Sequence, residues 1–404
     1  MEIVSSRRYS IKQIFKNHWP EYLDEHKVSI PDYVQTTVQK MLSCRDPDSL
    51  GYHKYACPDH PEQFIIVPHS CKSRFCTTCS KTLTDAWVSK AESSFPNTSF
   101  HHICFTIPDS FRELLCKYRF LLDCLFTGSS QTMLSWTHEQ GFLPAAICVI
   151  HSFGRDLKSN PHIHMLISSG GLSLKTKKQN KWKHCSFIPF KMLHKRWRFL
   201  LIATLKKTIT KYLKNHPDCG ELSVFSNPHI LHAFFDPFLS INWYVHDSEE
   251  LEPGNFSLSY LARYSKRPPL AERRILYYGK IPGQDGIYVT FSYKESQKPP
   301  VNFTVPVKKF ISLLIQHILP PNFRQVRFYG ALANRVKARY QKLIAKALKK
   351  TRHTIALMKW RERQKLLTGQ DPLICPICGK EKILVEVAFF SRKTGTLSLR
   401  PIPP

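Results

Sequence analysis

Apolar residues recur along this chain in two rhythms, one helical and one alternating, and the switch between them predicts its elements. Between residues 9 and 43 the spacing is helical: Ile11, Ile14 and Phe15 in one segment, then Tyr33, Val34, Val38, Met41 and Leu42, with Pro31-Asp32 as a helix start. A short β-prone run spans Phe64 to Val67. Beyond Pro96-Asn97, residues 100–108 (FHHICFTIP) read as a strand, and helical patterns follow at 109–126 and 130–140. Two apolar runs, 146–153 and 161–168, predict strands paired across the loop 154–160. Residues 170–183 are a basic, polar excursion suited to a hairpin. A long amphipathic helix is predicted over 190–213, and strands over 241–245, 275–278 and 288–293. Helices interleaved with antiparallel strands, without regular βαβ alternation, predict an α+β fold with a central antiparallel sheet and helices on one face.

The strand at 161–168 carries chemistry. His162 and His164 are separated by one bulky apolar residue, so on a strand both imidazoles project to one side while Ile163 points into the core. Such a pair on a stiff element suits two nitrogen ligands of one divalent cation. A third ligand is needed. His151, at the end of the neighbouring strand, is the expected one; His102 and a more distant polar residue are alternatives.

Between residues 57 and 79 stand five soft ligands: Cys57-x2-His60, then Cys71, then Cys76-x2-Cys79. Two ligand pairs separated by a β-prone segment make a zinc-ribbon pattern. The expected tetrahedral set is Cys57, His60, Cys76 and Cys79, closed and structural, with Cys71 and His69 spare. Near the C-terminus, Cys375-x2-Cys378-Gly379 repeats the knuckle with no second pair after it, so a site there needs ligands from elsewhere. Domain boundaries follow: helices and zinc-binding region in 1–95, the sheet domain in 96–345, and a basic helical tail with the knuckle in 346–404.

Charge narrows the partner. The 404 residues hold 59 Lys and Arg against 30 Asp and Glu, a net charge of +29. A field of that sign favours polyanions, of which a phosphate backbone is the commonest. The first residues lack a signal-peptide core, and no segment approaches the ~18 apolar residues of a membrane span. A cytoplasmic, nucleoid-associated protein without a membrane partner is expected. Its 13 cysteines then read as metal ligands or small buried residues rather than disulfides. Lys72 and Arg74 extend the positive field over the ribbon toward nucleic acid, and the dense charges of 330–367 (Arg335, Lys337, Arg339, Lys342) suit a phosphate-tracking helix.

One further segment, 256–275, places Tyr260 and Tyr264 four residues apart on a helical pattern ending before Pro268-Pro269, among Arg263, Lys266 and Arg267. Tyrosine is a weak nucleophile, its phenol pKa being ~10. A cation on His162 and His164 would orient a phosphodiester and offset its charge. Attack would then leave a 5′-phosphotyrosine and a free 3′-hydroxyl, conserving bond energy for rejoining.

Four stretches in this order, SCKSRFC (70–76) in the ribbon, NPHIHMLISSGGL (160–172), YLARYSKRPP (260–269) and HILPPNFRQVRFYGALA (317–333), resemble the rolling-circle transposases of the family founded by insertion sequence 91. These are two-tyrosine HUH endonucleases (His, bulky apolar, His), and the resemblance covers roughly residues 50 to 345. It implies single-strand DNA cleavage and strand transfer at insertion-sequence ends and targets, with Mg²⁺ or Mn²⁺ as cofactor. It gives His162 and His164 the metal role and Tyr260 and Tyr264 the nucleophile role. Many relatives carry Cys where His60 stands, and some use a single tyrosine. A plasmid replication initiator or mobilisation relaxase shares this chemistry, whereas a non-catalytic zinc-dependent nucleic-acid-binding protein would form no covalent product. The ribbon ahead of the nuclease region and the absence of a G-x4-G-K-[ST] loop favour the transposase, with a host helicase or replication machinery exposing the single strand.

Overall fold

A computed structural model describes residues 9–92, 95–175, 181–247, 251, 268–294, 298–348, 359–390 and 396–402. Tyr260, Tyr264, Arg263, Lys266 and Arg267 lie outside the described residues. The first strands are β1 (Gly51–Ala56), β2 (Phe64–Pro68), β3 (Phe100–Phe105), β4 (Phe142–Phe153), β5 (Ser159–Ser173), β6 (Trp182–Lys183) and β7 (Val245–Asp247). The later ones are β8 (Ile275–Gly279), β9 (Tyr288–Lys294), β10 (Pro300–Pro306), β11 (Val326–Gly330), β12 (Ile383–Phe390) and β13 (Leu397–Pro401).

The chain folds as two compact units, and neither is contiguous: Met1–Ala86 joins Lys266–Ile318 and Ala356–Pro404, while Trp87–Ser265 joins Leu319–Ile355. This differs from the division at residues 95 and 345, and strand pairing is the reason. β12 and β13 add to β1 and β2 in one antiparallel sheet of order β13-β12-β1-β2, so the C-terminal segment shares a sheet with the N-terminal ribbon. Residues 383–390 (ILVEVAFF) are rich in β-branched and aromatic residues, a composition that suits a pleated, half-buried surface. The basic stretch 330–367 is accordingly interrupted rather than one long helix: β11 ends at Gly330 and helices occupy Lys337–Leu348 and Trp360–Thr368.

In the first unit, Ser10 caps the helix Ile11–His26 by accepting from the Gln13 amide at 3.0 Å, and Ile11, Ile14, Phe15 and Trp19 form its buried face. The helix Asp32–Leu42 buries Val34, Val38 and Met41. A second small sheet runs β10-β9-β8, followed by the amphipathic helix Val307–Ile315.

The second unit is an α+β domain around an antiparallel sheet of order β11-β4-β5-β3-β7, with β6 paired to β5. β7 begins at Val245, so the strand expected over 241–245 is displaced toward its C-terminal side. Side-chain alternation divides the sheet. One face carries Ile103, Phe105, Cys148, Ile150, Ile163 and Met165, buried in a core shared with the helices Leu122–Glu139 and Phe190–Asn215. Trp197, fully buried there, donates its indole N–H to the Thr106 carbonyl at 2.8 Å. Gly128 lets the two helices meet, since a Cβ at that position would lie 2.8 Å from the Trp197 ring. The opposite face carries Phe100, Ile147, Val149 and Leu166 under Trp87, Val88 and Ala91. Being covered on both sides, β5 is buried without interruption from Pro161 to Leu172, polar residues included. Among the described residues no helix is long and apolar enough to cross a membrane.

Candidate active site and metal centres

The second face of the sheet ends in a group of histidines. Register places His151 of β4 directly across from His162 of β5, and Cys104 of β3 across from His164. Asn160, His162 and His164 share that face by alternation. Both histidines are buried, 8% and 6% exposed. Their Nε2 atoms lie 3.1 Å apart. The remaining ring nitrogens are engaged: Nδ1 of His162 lies 2.6 Å from the Asn160 carbonyl, and Nδ1 of His164 lies 2.8 Å from Nε2 of His102. The His102 and His164 rings stack with an interplanar angle of 14°. Nδ1 of His151 reaches within 3.3 Å of His162 Nε2.

These contacts constrain the protons. A carbonyl only accepts, so His162 Nδ1 carries the hydrogen and Nε2 presents a lone pair. Burial pushes His162 down to about 4, against a smaller opposing pull from the Asn160 carbonyl. Burial first, then the neighbouring His162, His151 and His102, holds His164 well below the ordinary histidine range. Both imidazoles are therefore neutral at neutral pH and aim nitrogen at one point, an arrangement that fits a divalent cation. Asn160 Oδ1 is buried without a hydrogen-bond partner among the described residues, an acceptor oxygen two positions from His162. Cys104 Sγ joins the two histidines within 4.8 Å. Burial raises its thiol to about 12, which makes it a poor ligand for a hard cation. Sequence reading did not single out Cys104 or Asn160. The alternation of FHHICF and the NPHIH spacing carry the signal for both.

The cysteines sort into two sets of four, different from the grouping expected from spacing. Cys76 and Cys79 stand with Cys44 and Cys71, while Cys57 and His60 stand with Cys375 and Cys378; ligand atoms within each set lie within 4.8 Å of one another. Cys44 Sγ and Cys71 Sγ are 3.5 and 3.6 Å from Cys79 Sγ. Contacts from the Cys44 and Cys71 thiols draw Cys76 down to about 6, toward the thiolate that binds metal. The expected set Cys57, His60, Cys76 and Cys79 is thus split. Ribbon spacing identifies pairs of ligands but not which pairs meet, and Cys44, after the helix Asp32–Leu42, has no near partner in sequence.

The basic residues near these sites also separate. Lys72 is exposed. Arg74 is turned inward, its guanidinium donating to the His317 carbonyl at 3.2 Å, and burial lowers its pKa to about 10. Arg74, half-buried, thus has a structural partner within the protein. On the helix Lys337–Leu348, Ile344 and Tyr340 seat against Leu172 and Ala331, leaving Arg339, Lys342 and Lys346 exposed. An open cavity of about 410 Å³ nearby is lined by Asn322, Phe323, Arg324, Arg327, Phe328 and Tyr329, among others.

Two family models match the chain. One, described as "Putative transposase", covers residues 145–339, and the other, "Transposase zinc-binding domain", covers residues 14–107. Among known proteins, the "Transposase for insertion sequence element IS801" of Pseudomonas savastanoi pv. phaseolicola is 28% identical over 370 residues, 90% of this chain and 86% of that protein. The "Putative transposase y4qJ" of Sinorhizobium fredii (strain NBRC 101917 / NGR234) is 25% identical over 405 residues, 95% of this chain and 96% of that protein. No solved structure matches the chain. The first family match contains His151, His162, His164, Tyr260 and Tyr264, and the second contains every N-terminal cysteine ligand; Cys375 and Cys378 lie beyond both.

Proposed function

The chain belongs to the insertion sequence 91 family of transposases, and from that premise we propose that it cuts and rejoins single-stranded DNA at insertion-sequence ends through a 5′-phosphotyrosine link. The observation that carries this reading is the convergence of His162 and His164, two neutral buried imidazoles with Nε2 atoms 3.1 Å apart. They would hold Mg²⁺ or Mn²⁺ together with His151, whose imidazole suits such a cation better than the neutral Cys104 thiol. The bound cation supplies charge neutralisation and orientation at the scissile phosphate.

The chain's own residues do the rest. The phenol oxygen of Tyr260 or Tyr264 attacks phosphorus and gives up its proton. The bond from phosphorus to the 3′ oxygen breaks, and that oxygen gains a proton to leave as a hydroxyl. The new phosphotyrosine ester keeps the energy of the broken bond, so a 3′-hydroxyl attacking it restores a phosphodiester and frees the tyrosine. Two tyrosines would let one hold the first end while the other cuts again. Arg263, Lys266 and Arg267 beside them, Lys72 on the ribbon, and Arg339, Lys342 and Lys346 on the basic helix would neutralise the DNA backbone. A host helicase or replication machinery would expose the strand.

The test is a covalent one. Purified protein with Mn²⁺ and labelled single-stranded oligonucleotides bearing the element's ends should yield a 5′-linked protein–DNA adduct that survives denaturation. An equal yield from a His162→Ala/His164→Ala variant, or no adduct on any end sequence, would refute the reading.

A further inference from the structure

The second cysteine set joins residues that no local motif connects. Cys57 Sγ lies 3.5 Å from Cys378 Sγ, 321 positions away, and 3.9 Å from His60 Nδ1. Cys375 Sγ lies 3.9 Å from the same nitrogen. With Zn–S at ~2.3 Å and Zn–N at ~2.0–2.1 Å, a tetrahedron sets sulfurs about 3.8 Å apart and sulfur to nitrogen about 3.6 Å. The observed separations fall on either side of these values and are far beyond the ~2.05 Å of a disulfide.

Both halves share a Cys-Pro-x-ligand sequence closed by a backbone turn. Cys57-Pro58-Asp59-His60 leaves the end of β1, and the turn closes through Gln63 N to His60 O at 2.9 Å and Cys57 N to Gln63 O at 3.2 Å. Cys375-Pro376-Ile377-Cys378 precedes β12, with Gly379 N to Cys375 O at 3.0 Å and Cys375 N to Lys380 O at 2.9 Å. Gly379 has φ +72°, the left-handed turn that lets the knuckle reverse. β1 and β12 then run side by side, with Ala56 opposite Ile383, which brings the two knuckles to one end of the sheet. Lys380 and Asp59 pair across the knuckles at 2.6 Å.

We propose that Cys57, His60, Cys375 and Cys378 bind a structural zinc ion, separate from the Cys44, Cys71, Cys76 and Cys79 set, which clasps the C-terminal knuckle to the N-terminal ribbon. Three thiolates and an imidazole leave no open position, so the ion orders the fold and does no chemistry on DNA.

The full-length protein is expected to carry two zinc ions per chain by elemental analysis, and a Cys375→Ser/Cys378→Ser variant one. Cys378→His, which keeps four ligands, should retain two. A wild-type measurement guards against misfolding of the serine variant: alkylation of the native protein read by mass spectrometry. Cys378 is solvent-exposed, so its thiol should be protected while metal is bound and react at least tenfold faster after chelation, together with Cys57 and Cys375. One zinc per wild-type chain, two in the serine variant, or a Cys378 alkylated equally fast before and after chelation would overturn the proposal.

Discussion

The imidazole of His162 is tied to the carbonyl oxygen of Asn160 at 2.6 Å, and this one hydrogen bond decides which ring nitrogen is left to bind. Because the acceptor is backbone, side-chain substitution at Asn160 leaves the tautomer intact. His162→Ala, by contrast, removes the proposed ligand. We expect His162→Ala to lower adduct yield by more than the ~10–100-fold typical of losing an outer-shell partner, and Asn160→Ala to fold normally. Adduct quantification on denaturing gels and thermal melts check the pair.

His102 holds the outer nitrogen of His164 at 2.8 Å with its ring stacked on the same residue. His102→Phe keeps a flat ring but removes the partner. The expected outcome is a ~10–100-fold weaker Mn²⁺ requirement constant for cleavage with saturating-metal activity largely recovered. A variant whose metal titration overlays wild type would show that His102 only fills space.

Tyr260→Phe and Tyr264→Phe each remove one phenol oxygen at constant volume. If the phenols divide the labour, one single variant should abolish the first adduct and the other should form it but fail to transfer the strand. The double variant should form none while still binding end DNA, which gel-shift assays measure.

Trp197 is buried against Gly128 and bonded to the Thr106 carbonyl. Trp197→Ala should cost about 3–5 kcal/mol of stability. Gly128→Ala, which sets a methyl 2.8 Å from the ring, should cost about 1–3 kcal/mol through overpacking. Denaturant unfolding of the two variants tests the order.

Cys44 is the member of its candidate zinc set most remote in sequence, and Cys44→Ser should release one zinc and weaken the fold of the first unit. Zinc in thiolate sites is also lost as acid protonates the sulfurs. The wild type should therefore shed metal as pH falls, while Cys44→Ser should begin with one ion fewer and release correspondingly less. A dye-based zinc-release titration follows both.

Local patterns carried much of this molecule. The helices from Ile11 to Leu42, the helix beginning at Phe190, and strands β4 and β5 follow from periodicity, because a period of 3.6 or 2 is a property of neighbouring residues. The shared orientation of His162 and His164 follows from the same alternation. The chain's own positive charge, 59 basic residues against 30 acidic, pointed to a polyanion before any element was placed. Strands β10 (PVNFTVP) and β13 (LSLRP) were less legible because they are short and carry Pro at their ends, and β12 (ILVEVAFF) because its sheet partner β1 lies at the other end of the chain.

What the sequence by itself determined was a set of candidate ligand pairs, Cys57-x2-His60, Cys76-x2-Cys79 and Cys375-x2-Cys378, and a strand with two histidines on one side. Only the tertiary structure decided their company. His102, His151 and Cys104 reach the histidine pair through the register of three strands, and Cys57 meets Cys378 because β12 lies beside β1. A knuckle fixes the spacing of two ligands within one turn of backbone. The other two are chosen by whichever strand pairs alongside, a contact made between residues far apart in the chain.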